Sequence, residues 1–159
     1  MKKLAALLAL ILGLGTLSTP IGADEAASKA PLPFSLAPQD FDGPRRVRLK
    51  ATLRLLKHAQ VTSKALQTCG DTSGAAQALE GFQARNGNTL RMLLNIIKNN
   101  GGLPPDIKAL LDREVAAGTK QLLREVDCLT LADQVAKNGR DLYKAPELAD
   151  DYALARSQP

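Results

Sequence analysis

Tryptophan is absent from this 159-residue chain, histidine occurs once, and cysteine and methionine occur twice each. The aromatic rings are Phe34, Phe41, Phe82, Tyr143 and Tyr152. Each scarcity excludes a class of function. One histidine, His58, cannot build a multi-histidine metal site or a Glu-x-x-His di-iron pair. So few rings give no stacking platform for single-stranded nucleic acid, so no nucleic-acid partner is expected. Two cysteines 59 residues apart do not make a Cys-x-x-Cys redox pair, and Cys-x-x-Cys-His for covalent haem is missing. Non-covalent haem would have to use His58 and Met92. The helical layout derived below puts them at heights differing by ~12 Å, too far apart to face one iron. No cofactor and no metal are expected.

Catalytic signatures are equally lacking. There is no Gly-x-Ser-x-Gly elbow, no phosphate loop and no EF-hand spacing. Glu114 and Glu125 are eleven residues apart, roughly 16 Å along a helix. A cooperating carboxylate pair in a glycosidase needs about 5–10 Å. The reading is therefore non-enzymatic.

What is present begins with a secretory signal pattern over residues 1–23. Lys2 and Lys3 precede an uncharged apolar run from Leu4 to about Leu17, and Ile21-Gly22-Ala23 offers a small residue at the cut. The run is shorter than the ~20 residues that span a bilayer. The expected address is periplasmic or secreted, with no transmembrane segment after cleavage. There the even cysteine count predicts one structural bridge, Cys69–Cys128. Residues 24–42 carry Pro31, Pro33 and Pro38 and are read as a flexible leader, followed by a helical domain over 43–156.

Apolar spacing gives the domain an all-α architecture: an up-down-up bundle of three long helices, a short C-terminal helix and one disulfide. Helix 1 is expected over 44–69, with Leu49, Leu53, Leu56 and Leu66 inward and Gly70 as the stop. Helix 2 is expected over 73–99, after possible caps at Asp71, Thr72 and Ser73, with Phe82, Leu90, Leu93 and Ile97 inward. Gly74, Gly81 and Gly87 weaken it. Helix 3 follows Pro104 and holds one phase from Ile107 through Leu129 to Ala136. It reads as one helix over 105–137, with Gly118 as the place for a split. At ~1.5 Å per residue, residues 105–128 descend about 35 Å, which returns Cys128 to the level of Cys69.

Charge is uneven. Residues 45–98 carry ten Lys/Arg against Asp71 and Glu80, whereas residues 104–159 carry eight against ten acids. Arg46, Lys50, Arg54, Lys57 and Lys64 share about a quarter of the helix 1 circumference. This stripe reads in two ways: as a docking face for an anionic membrane surface, another anionic envelope component or an acidic protein, or as a solvated face paired with helix 3 acids such as Asp112, Asp127 and Asp133. Asn86 interrupts the apolar stripe of helix 2 and Glu114 that of helix 3. Buried, they need partners. Either an internal network or a small polar ligand pocket lined by Asn86 and Glu114 is expected. Together these features describe an exported binding or interaction module of unknown partner, with a small-ligand carrier as the alternative.

Overall fold

The computed structural model describes residues 43–71 and 74–157; the signal pattern and the leader lie outside them. The described chain is all-helical, as the spacing requires. Its elements are α1 (Gly43–Cys69), α2 (Ala75–Asn99), α3 (Pro105–Glu125), α4 (Cys128–Ala136), a 3-10 turn at Pro146–Leu148, and α5 (Ala149–Arg156). Helix α1 is the hub. It packs against α2, α3 and α5, while α4 packs chiefly on α2. Hence α1 is buried on more than one face: Leu49, Leu53, Leu55, Leu56, Ala59, Val61, Ala65 and Leu66 are all inside. Thr52 is buried with them because its hydroxyl donates to the Arg48 carbonyl one turn back, which removes the penalty of an unmet polar group.

The helix ends follow from local chemistry. Gly70 takes a left-handed φ of 62° and closes α1. Gly74, at φ 79°, stands at the N-cap of α2 and makes no side-chain cap bond. Thr72 and Ser73, two of the expected caps, are outside the described residues. α2 then runs unbroken through Gly81 and Gly87. At its end the amides of Gly101 and Gly102 bond the carbonyls of Lys98 and Ile97, a turn that needs positive φ and so uses glycine.

The expected single helix over 105–137 is two helices, and the split is not at Gly118. Val126 is extended, and Asp127 caps a new helix by accepting the Thr130 amide at 2.9 Å and the Thr130 hydroxyl at 2.9 Å. These bonds hold the Asp127 carboxyl below its ordinary range. The break resets the phase, so Leu129, expected inside, is 63% exposed, and Leu131, Ala132 and Val135 are buried instead. Gly118 serves close approach: a Cβ there would meet Val61 Cγ2 at 3.0 Å, so its absence lets α3 seat on α1. The disulfide Cys69–Cys128 forms as the axial arithmetic demands, with Cα atoms 5.6 Å apart.

Phe82, Leu90 and Leu93 place the core face of α2 where the spacing put it. Leu93 is fully buried and Leu94 only half-buried. Leu93→Ala is therefore expected to destabilise by roughly 2–5 kcal/mol, and Leu94→Ala by clearly less. Urea melts of the two variants check this; equal losses reverse the assigned face.

Candidate functional site

The segment that follows α4 carries most of the buried polar chemistry. α4 ends in a reverse turn in which Asn138 (φ 66°) and Gly139 donate to the carbonyls of Val135 and Gln134, so the chain turns sharply back over α1 and α2. Two consecutive residues are then gripped from two helices. Arg140 is held by α1: its Nε donates to Thr62 Oγ1 (3.0 Å), and its carbonyl lies 3.2 Å from His58 Nε2. A carbonyl only accepts, so His58 is the donor and its ring carries the proton on Nε2. Burial, then the nearby Arg140 guanidinium, push the His58 pKa down from 6.5 to about 4. Burial also lowers the pKa of Arg140.

Asp141 is held by α2. Its carboxylate is fully buried and accepts from Arg85 Nε (2.9 Å), Arg85 Nη2 (3.3 Å) and Asn86 Nδ2 (3.2 Å). Asn86, also fully buried, donates to the Phe82 carbonyl (2.8 Å) and accepts the Leu142 amide (2.9 Å). Arg85 Nη2 further donates to the Val135 carbonyl at the end of α4 (2.7 Å). Asn86 therefore belongs to an internal network. Of the two residues expected to line a polar pocket, Asn86 makes its bonds within this network and Glu114 pairs with Lys57.

The basic stripe is partly consumed as well. Arg54 forms a two-pronged pair with Asp151 of α5, with Nε at 2.8 and 3.0 Å from its two oxygens, and this pair raises the Arg54 pKa. Lys57 pairs with Glu114. One partner, Glu114, is thus an acid of helix 3, as the solvated-face reading expects, though not Asp112, Asp127 or Asp133; the other, Asp151, lies on α5. Asp112 and Asp133 instead pair one turn away on their own helices, with Lys108 and Lys137. Arg46, Lys50 and Lys64 are half-buried.

A groove that spacing did not reveal runs between α2 and α4, next to this network. Its volume is about 520 Å³, and it is open to solvent. Gly74, Ala78 and Gly81 form one wall and Ala132 and Ala136 the other, with Leu129, Gln77, Asp133 and Arg85 at its edges. The groove exists because these small side chains do not fill the space between the helices. Arg85 lies back over Gly81, where a Cβ would come within 2.8 Å of its Nη1. One guanidinium thus lines the groove and also anchors Asp141.

Among the described residues no group of three His, Cys, Asp or Glu is placed to hold a metal ion, and no helix is long and apolar enough to cross a membrane. Compared with protein-family models, with curated proteins and with solved structures, the chain matches none.

Proposed function

We propose that this protein is an exported, non-enzymatic binding module of the periplasm, and that it takes a small, mainly apolar ligand in the groove between α2 and α4. The observation that carries this reading is the groove itself: about 520 Å³, within the usual size range of ligand sites, walled by small residues and edged by a few polar groups. An exposed Leu129 at its rim offers apolar surface to an occupant. The signal pattern and the cysteine pair support the address, since a structural disulfide belongs to oxidising compartments.

The test is native mass spectrometry of protein purified from its own host. Wild type is expected to carry a bound small molecule. Ala136→Trp, which fills the groove from an exposed position, is expected to lose that molecule while keeping its melting curve. A ligand retained in the filled variant places binding elsewhere. Wild type emerging with a protein partner and no small molecule favours an interaction module acting through another face.

A further inference from the structure

The chain from Arg140 to Arg156 lies across the bundle as a strap fastened at both ends by polar contacts. At the near end are the Arg140 and Asp141 clasps. At the far end Asp151 holds Arg54, and the Ala155 carbonyl accepts Arg48 Nε at 3.1 Å. Between and beside these clasps Leu142, Ala145, Leu148 and Ala155 are buried. The strap thus covers apolar surface, and α1, its main support, carries the chain's one histidine beneath it.

We propose that the Arg140–Arg156 segment is an acid-released strap, opened when His58 takes a proton beside the Arg140 guanidinium and so uncovers the apolar face of α1. His58 and Thr62, one turn apart, grip the same residue from one side, so a charge on the ring acts directly on the clasp. The charged groups facing the ring are Arg140, which opposes its protonation, and Glu147, which favours it; both belong to the strap. On α1 itself, Arg54 and Lys57 are engaged by Asp151 of the strap and Glu114 of α3. Arg85 of α2 is turned to Asp141. The Arg140 carbonyl and, after it, Glu147 favour the charged ring, but burial and the Arg140 guanidinium outweigh them.

The sign follows from linkage. A lowered histidine pKa means that the open form binds the proton first as pH falls. The closed strap is fully favoured above pH 6.5, loses that preference between 6.5 and about 4, and gains no further histidine term below. If opening restores the ordinary pKa, the opening equilibrium rises on the order of 10²-fold from pH 7 to pH 4.

Three readouts on the oxidised protein test this. The single imidazole gives one histidine resonance, so its titration by proton NMR is unambiguous. The chain's two tyrosines, Tyr143 and Tyr152, both sit on the strap, so tyrosine fluorescence reports the strap alone. Hydrogen exchange, corrected for intrinsic rates, is expected to accelerate about 10²-fold in strap peptides over pH 7 to 4 while α2 peptides stay protected. His58→Gln keeps a donor for the Arg140 carbonyl but does not titrate, and is expected to abolish the acceleration. Arg140→Gln is expected to raise the ring titration toward its ordinary value and so to shrink the acid acceleration of the strap well below that of wild type. Strap exchange that tracks α2 at every pH overturns the proposal. So does acceleration that persists unchanged in His58→Gln, or one that Arg140→Gln leaves at its full size.

Discussion

Converting both Cys69 and Cys128 to alanine is expected to lower the unfolding free energy by ~4 kcal/mol. The bridge closes a loop with a sequence separation of 59 residues, and the entropy it removes from the unfolded chain scales with the logarithm of that length. It also fixes a junction that packing alone does not. Cys128 opens α4 directly after the extended pair Val126 and Asp127, so the bridge pins the point where the helical path is broken. Urea melts of wild type with and without reductant, beside the double variant, measure the effect. Reduced wild type and the variant are expected to coincide. A loss below ~1 kcal/mol shows either that the bridge is strained or that the reduced unfolded chain is already compact.

Asp141→Ala is expected to destabilise by about 3–5 kcal/mol, a large loss for a single turn residue. The substitution removes the acceptor for two Arg85 nitrogens and for Asn86 Nδ2, and Asp141 is fully enclosed. Breaking a buried pair from one side leaves the other charge without compensation, and this exceeds the net worth of the pair itself. Asp141→Asn keeps one acceptor oxygen and is expected to fall between. Asp133→Ala, at an exposed pair with Lys137, is the control and is expected to change little. Chemical melts decide between the two: similar losses for Asp141→Ala and Asp133→Ala mean that water reaches the network.

Periodicity made the core legible because burial of apolar side chains leaves a repeating signal. Leu49, Leu53, Leu56, Leu66, Phe82, Leu93, Ile107 and Leu111 all lie inside. The break at Val126–Asp127 was not legible, because Leu122, Val126 and Leu129 continue the helical spacing across it. The capping aspartate was the available cue, and an Asp-x-x-Thr cap is a weak one. Asn86 stood out as polar within an apolar stripe, but its partner Asp141 is 55 residues away in a segment that reads as an ordinary polar turn. Spacing points to helix 3 for the acids paired with the basic stripe, and Glu114 is there, but which acid pairs, and the Arg54–Asp151 pair, depend on how helices rotate about their axes, which spacing does not fix. The groove left only a negative signal: Gly74 and Gly81 read as weak points of a helix, and only packing shows that together with Ala78 they leave room.

The bridge also decides what a protease releases. Residues between Cys69 and Cys128 form a covalent ring, while α1 and the strap leave it as two tails that pack on each other. A single cut anywhere inside the ring leaves one molecule of unchanged mass on a non-reducing gel. A cut between Leu129 and Arg140 instead makes the whole strap a separate fragment, held only by its clasps and its buried apolar side chains. One peptide bond in that short stretch thus separates a nicked but intact molecule from one that sheds its C-terminal segment irreversibly.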